Sequence, residues 1–285
     1  MRFARYLLMP AAVAAALLLP LAAATAGSSP PRAGVLTWNT PVCGADKYVP
    51  VNLGHGDYFN VANAQAGNTC ISVERHHLVF QVTSWSPDAP GWQYPHIASG
   101  VNWGVYTCYD GRSARPGHGS QCMRYPVRQE DDGMPVTSAS YWIPRDYAGN
   151  VSYDIWFDRQ YHRPQDIRQA DGAEIMIWLD GRVWPQALKR VAVIDHREWY
   201  VMAWVMRHNG KSWNYVAYVA VRPTRSISGL WLNQVFRDAE RHDDSTGYSP
   251  DLMKTWWLDS INFGGEINGG GRGFDVSSYS LSGVR

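Results

Sequence analysis

Ala173-Glu174-Ile175-Met176-Ile177-Trp178-Leu179 is the stretch on which the fold turns. It is apolar apart from Glu174, and Gly172 and Asp180-Gly181 bracket it, which is the pattern of a short strand. Strand side chains alternate faces. Ile175, Ile177 and Leu179 therefore form an aliphatic side suited to the core between two sheets, while Glu174, Met176 and Trp178 form the other. An ordinary solvated face would carry Lys, Thr or Ser. A carboxylate beside a thioether and an indole reads instead as the floor of an aromatic-lined groove.

Neighbouring stretches repeat the arrangement. In Tyr153-Asp154-Ile155-Trp156-Phe157, Asp154 and Trp156 oppose Tyr153, Ile155 and Phe157. In residues 199–206, Tyr200, Met202, Trp204 and Met206 oppose Trp199, Val201, Ala203 and Val205, and periodicity leaves open which set faces inward. Three strands offering flat rings beside acids describe a sugar-binding cleft, because pyranose rings stack on aromatic faces while acids handle hydroxyls or chemistry. Any single ring is more simply read as core filling; the combination favours the cleft. Further strands are expected at 78–84, 213–221, 255–263 and 274–281, each short and bounded by turn residues. One helix is expected over 228–241, where Trp231, Leu232, Val235, Phe236 and Ala239 recur at helical spacing behind Ser228 as N-cap. Many strands and one helix make an all-β sandwich of two sheets.

The chain has 285 residues, 26 Lys+Arg against 25 Asp+Glu, and 14 Trp and 16 Tyr. Near-neutrality gives no electrostatic case for nucleic acid or an anionic membrane surface as partner. Low charge with many rings is the opposite of a disordered composition. Residues 1–26 read as a secretory signal peptide: Arg2 and Arg5 precede an apolar stretch ending in the small-x-small pattern Ala24-Thr25-Ala26. A membrane anchor is the rival, since the stretch nearly reaches spanning length; Pro10, Pro20 and the cleavage-like end argue against it. The expected product is a secreted, monomeric chain of 259 residues. Residues 27–34 read as a flexible tail and 35–285 as one domain, uninterrupted by linker, repeat or charge block. Cys43, Cys70, Cys108 and Cys122 contain no C-x-x-C pair and fit two disulfides of an exported protein. Of three possible pairings, Cys43–Cys70 with Cys108–Cys122 is preferred because each closes a short loop; the second is worth about 3 kcal/mol on chain-entropy grounds.

A second acid stands out in Asn262-Phe263-Gly264-Gly265-Glu266-Ile267-Asn268-Gly269-Gly270-Gly271. Paired glycines in a strand pattern mark a bulge or a close backbone approach. Such a kink would aim Glu266 at the groove; the alternative is an exposed Glu in a flexible hairpin. Two carboxylates in different surroundings are what glycoside hydrolysis needs, one to protonate the leaving oxygen and one to attack the anomeric carbon or activate water. Spacing alone does not bring Glu174 and Glu266 together.

Tyr153-Asp154-Ile155-Trp156, Glu174-Ile175-Met176-Ile177-Trp178-Leu179 and Phe263-Gly264-Gly265-Glu266-Ile267, in that order, resemble glycoside hydrolase family 12, the secreted β-1,4-glucanases and xyloglucanases. The first cysteine pair, Gln93-Tyr94-Pro95-His96-Ile97 and Ser226-Ile227-Ser228-Gly229 are similar to that family as well. The resemblance implies a β-jelly roll of two curved antiparallel sheets with the single helix on the convex side, and a retaining mechanism without metal or organic cofactor. Carried over by motif position, Glu174 is the nucleophile, Glu266 the general acid/base, and Asp154 the neighbour that helps set the nucleophile's ionisation. Met176, Trp178 and Trp156 line the cleft. Such a pair implies a bell-shaped, mildly acidic pH–rate profile.

One departure concerns the substrate. The family usually carries Asn-Asn-x-Trp-Gly between the first two cysteines, its Trp stacking on a sugar; here the stretch is Val51-Asn52-Leu53-Gly54-His55-Gly56-Asp57-Tyr58. Tyr58 or His55 substitutes for that ring, or the subsite is weaker or shaped for another sugar. His55, His76, His77, His96 and His118 lack the spacing of metal ligands and are expected on the surface or in loops. No G-x-S-x-G elbow supports a serine esterase. The sequence therefore points to a secreted endo-acting hydrolase of β-1,4-glucan, mixed-linkage β-glucan or xyloglucan. The rivals are a lectin-like binding protein on the same fold and a transglycosylating relative.

Overall fold

The alternation at residues 173–179 becomes a strand, Ala173–Asp180, and its aliphatic side, Ile175, Ile177 and Leu179, is fully buried between two sheets. The computed structural model describes residues 42–43, 47–52, 58–64, 70–72, 79–85, 93–102, 105–106, 127–129, 135–162, 170–208, 210–241 and 255–283. The expected signal peptide, the tail and the Cys108–Cys122 pairing lie outside these residues.

The smaller sheet runs, in spatial order, β1 (Val42–Cys43), β4 (Cys70–Ser72), β5 (Phe80–Ser84), β17 (Asp275–Ser282), β9 (Val136–Trp142) and β15 (Ser226–Trp231). The larger runs β12 (Leu188–Ile194), β13 (Arg197–His208), β14 (Lys211–Ala220), β11 (Ala173–Asp180), β10 (Ala148–Asp158), β16 (Trp257–Gly269), β6 (Tyr94–Asn102), β3 (Tyr58–Ala64) and β2 (Lys47–Asn52). Two short strands join its margin, β7 (Val105–Tyr106) on β6 and β8 (Val127–Arg128) on β16. The described strands pair antiparallel with one exception: β11 and β14 run parallel. Cys43 and Cys70 face each other across β1 and β4 and form the expected disulfide.

Rings fill the space between the sheets. Phe263 meets Tyr153 at 4.6 Å within the large sheet and Tyr279 of the small one at 5.9 Å. The Thr137 hydroxyl lies 3.0 Å from the Tyr153 hydroxyl and 2.9 Å from the Ser280 carbonyl, so the polar tip of Tyr153 is satisfied across the layers. The inward set of residues 199–206 is Trp199, Val201 and Ala203, all buried; Tyr200, Met202, Trp204 and Met206 look the other way.

The helix differs from expectation. It spans only Leu232–Ala239, and Ser228 belongs to β15 rather than to a cap. Ile227 and Leu230 pair with Ala139 and Thr137 of β9 and are buried there, while Gly229 turns through φ +65° between them. That ladder outweighs a single capping bond, and the first helical N–H, of Leu232, goes to the Pro135 carbonyl at 3.0 Å instead. Phe236 packs edge-on against Phe157 at 5.1 Å, and Asp238 accepts from Tyr218 at 2.9 Å and pairs with Arg190. Phe157 and Tyr218 point away from the groove face, so the helix sits behind it, on the convex side. Burying a ring such as Phe236 there contributes about 1.5–3 kcal/mol.

Candidate active site

Strand β10 is the hub, because its register fixes what shares a face. Trp156, Asp154 and Ser152 lie opposite Glu174, Met176 and Trp178 of β11. On its other side Asp154, Ser152 and Asn150 lie opposite Asn262, Gly264 and Glu266 of β16. Directly paired residues point the same way, so Glu174, Asp154 and Glu266 share the face opposite the core. Glu174 and Glu266 are nevertheless offset along β10, from Trp156 to Asn150, which in a flat sheet means about 20 Å. Yet the Glu266 charge raises the Glu174 pKa, and both acids with Asp154 act on Tyr94 and Tyr215. This face is the one on which the sequence places the trough, and the strands on either side of β10 carry the two glutamates.

Each glutamate receives one fixed donor. Glu174 is 8% exposed, and its Oε2 accepts from Trp213 Nε1 at 2.7 Å. Glu266 is half-buried, and its Oε2 accepts from the Asn150 amide. The Ser152 hydroxyl donates to Asn150 Oδ1 at 2.9 Å, which orients that amide with its nitrogen toward Glu266. Tyr147 anchors the Asn150 carbonyl at 2.7 Å. Asp154 lies between the two glutamates, with Oδ1 buried and without a hydrogen-bond partner.

All three carboxyls titrate high because burial penalises their charge. Glu174 is pushed well above the usual range by burial first, then by Asp154, against the Trp213 bond. Glu266 rises to about 8 by burial, against the Asn150 bond. Asp154 rises to about 7 by burial, against a hydrogen bond from Trp156. The trough therefore holds protons at neutral pH, as an acid donor requires.

The paired glycines serve close approach. A Cβ on Gly264 would lie 2.1 Å from the Pro95 carbonyl oxygen, and one on Gly265 2.6 Å from the Tyr147 hydroxyl. The bulge falls beyond Glu266, where the register slips between Gly149–Ile267 and Ala148–Gly269.

A model of glycosyl hydrolase family 12 matches residues 59–283. The chain belongs to this family. Solved structures agree in fold: endoglucanase cel12A from Rhodothermus marinus, 24% identical with TM-score 0.63, covers 85% of this chain and 98% of its own. A family 12 xyloglucanase from Bacillus licheniformis, 20% identical with TM-score 0.63, covers 86% of this chain and 100% of its own. No curated protein sequence matches significantly. Family 12 membership makes the chain a glycoside hydrolase whose substrate is a polysaccharide.

Within this family 12 trough, two expected cleft residues are covered. Met176 and Trp178 lie on the groove face but are only 2% and 3% exposed. Residues 181–187 fold back over them, and Trp184 meets Trp178 edge-on at 5.8 Å. Trp156 is half-buried, 5.8 Å from Trp213. Tyr58 opens β3 opposite Asn52, and its side chain is outside the described residues, as is His55. His96 corrects an expectation: it is 1% exposed on β6, stacked on Tyr94 at 4.4 Å, and burial lowers its pKa to about 4. Alternating with apolar neighbours in Tyr94-Pro95-His96-Ile97-Ala98, it reads in retrospect as a sheet position. Sequence reasoning missed Trp213 and Asn150, because a donor to a carboxylate is found by register and not by motif. The alternation Trp213-Asn214-Tyr215 was the available signal for the first.

Proposed function

We propose that the chain is a secreted, retaining endo-β-1,4-glycanase that cleaves β-1,4-glucan or xyloglucan, with Glu174 as nucleophile and Glu266 as acid/base. The observation that carries this reading is that a buried and a half-buried glutamate lie on one sheet face, each with one oxygen held by a fixed N–H, with Asp154 between them. Trp213 holds Glu174 Oε2, so Oε1 attacks the anomeric carbon while Glu266 protonates the departing glycosidic oxygen. Glu266, now a carboxylate, takes a proton from water, and that water releases the sugar from Glu174 with retained configuration. Retention calls for about 5–5.5 Å between the carboxyls. Asp154, which keeps its proton up to about pH 7, spares Glu174 a neighbouring negative charge below that pH and so favours its ionised, nucleophilic form. Export fits the signal-like residues 1–26, and among the described residues no helix is long and apolar enough to cross a membrane. The named relatives, an endoglucanase and a xyloglucanase, support both candidate backbones.

The test is reducing-sugar release from carboxymethylcellulose, mixed-linkage β-glucan and xyloglucan, with Glu174→Ala as control and NMR of the first-formed anomer. Hydrolysis with retention that Glu174→Ala abolishes is expected. Binding without hydrolysis across the panel would replace the reading with the lectin-like one.

A further inference from the structure

The aromatic side of the trough is built in tiers. Trp178 Nε1 and the Tyr215 hydroxyl both donate to Met176 Sδ, at 3.3 and 2.9 Å, and all three residues are buried. Above them Trp204 lies flat on Tyr215, with ring centres 4.1 Å apart and planes 28° apart. Trp184 leans on Trp204 at 5.6 Å and sets its edge against Trp178. The backbone of the covering segment also rests on Trp178: a Cβ on Gly181 would lie 2.6 Å from the Trp178 ring. The Trp184 backbone N–H donates to Met202 Sδ at 3.2 Å, which ties the segment to the floor just before Pro185–Ala187 forms a 3-10 turn.

This tiering removes Trp178 from any sugar. A ring 3% exposed beneath an indole has no face to offer a pyranose, whereas Trp184 and Trp204 are half-buried. Trp204 has one face on Tyr215 and Trp184 beside it at 5.6 Å. Trp184 is half-buried on the groove side of the sheet, in ring contact with Trp178 and Trp204, both of which lie on that face. The same surface continues to Tyr200 and the exposed Val191 paired with it at the sheet edge.

We propose that Trp184 is the specificity-determining ring of this side of the cleft, the platform on which one glucosyl unit of a β-linked backbone stacks, with Trp178 acting only as its support. This rests on the glycanase reading above. A flat indole raised over the floor selects for extended chains that reach it; its loss is felt as weaker binding rather than slower chemistry.

The experiment compares wild type, Trp184→Ala, Trp184→Phe and Trp178→Phe for kcat and KM on mixed-linkage β-glucan and on cellotetraose and cellohexaose, with melting temperature alongside. Trp184→Ala is expected to raise KM for the polysaccharide and the longer oligosaccharide about 10- to 100-fold with kcat changed less than about threefold. Trp184→Phe should recover most of that loss, and it serves as the test if the alanine variant does not fold. Trp178→Phe should lower the melting temperature and move KM less than Trp184→Ala does. Equal KM for wild type and both Trp184 variants overturns the inference, as does a KM rise in Trp178→Phe that matches Trp184→Ala without loss of melting temperature. A wild type that hydrolyses none of these glucans nor xyloglucan defeats the glycanase reading instead, a separate outcome.

Discussion

The two sides of the trough solve opposite problems. On the β11–β14–β13 side, indole and phenol donors end on methionine sulfurs: Trp178 and Tyr215 on Met176, and Trp204 on Met206 at 2.9 Å. Thioethers are weak acceptors that fill irregular space, so this side is a close-fitted surface, with His208 Nε2 at the end of β13 buried without a partner. On the β10–β16–β6 side, Asp154 Oδ1, Asn262 Oδ1, His96 Nε2 and the Tyr94 hydroxyl are buried without a hydrogen-bond partner. Each such group costs about 1–3 kcal/mol, a cost that natural structures concentrate where chemistry is done. One side is shaped for contact, the other keeps polar capacity beside its carboxyls, and the glutamates stand where the two meet.

The largest expected effect separates the donors of the two banks. Trp213→Phe keeps the ring but removes the N–H that opposes the upward shift of Glu174, so kcat should fall about 10- to 100-fold and the acidic limb of the pH–rate profile should move to higher pH. Asn150→Ala removes the donor that lowers the Glu266 pKa, so there the alkaline limb, expected near pH 8 in the wild type, should move up instead. Profiles of kcat/KM measured from pH 4 to 10 check both; limbs that move together would mean the two acids do not have separate donors.

A smaller effect concerns stability on the polar side. Asp158 of β10 and Asp259 of β16 are both buried and the Asp158 charge acts on Asp259, with the Asp171 N–H donating to Asp158 at 2.8 Å and His162 4.0 Å from it, while both Asp259 carboxylate oxygens lack a hydrogen-bond partner. Burial pushes both carboxyls up, Asp259 well above its ordinary value. A carboxyl whose folded pKa is raised binds its proton more tightly in the native state. Its stabilisation is therefore complete below about pH 4 and is lost as pH rises toward the folded pKa. The cleft acids act in the same direction, so melting temperature should fall from pH 5 to pH 8. Asp259→Asn should raise it at pH 8 by about 2–4 °C and flatten that slope. Thermal melts at the two pH values decide it; a melting temperature that climbs with pH contradicts the raised pKa of these buried carboxyls.

The smallest expected effect is Tyr94→Phe. It keeps the ring stack on His96 and deletes a hydroxyl without a hydrogen bond, so the fold should be as stable as wild type or gain about 1 kcal/mol. A loss above about 2 kcal/mol in denaturant melts would show that the hydroxyl is already satisfied and that the contrast between the two sides is weaker than drawn.

Much of this was legible along the chain. Alternation in residues 173–179 assigned Glu174, Met176 and Trp178 to one face and the aliphatic residues to the core, because a strand repeats every second residue whatever surrounds it. The glycines before Glu266 correctly announced a close approach. Where local pattern competed with pairing, it lost: Ser228 looked like a cap, but burial of Ile227 and Leu230 against β9 drew it into a strand. The two faces of residues 199–206 were both aromatic enough to be core, and only packing against the second sheet chose Trp199 over Tyr200.

Composition and periodicity, then, determined a sandwich with acids and rings on an outward-looking face, since side-chain direction in a strand is a local property. Tertiary structure alone decided which rings are covered, which donor serves which carboxyl, and in which direction burial moves their protons. These depend on sheet curvature, on register between strands remote in sequence, and on desolvation, none of which is a property of any short stretch of chain.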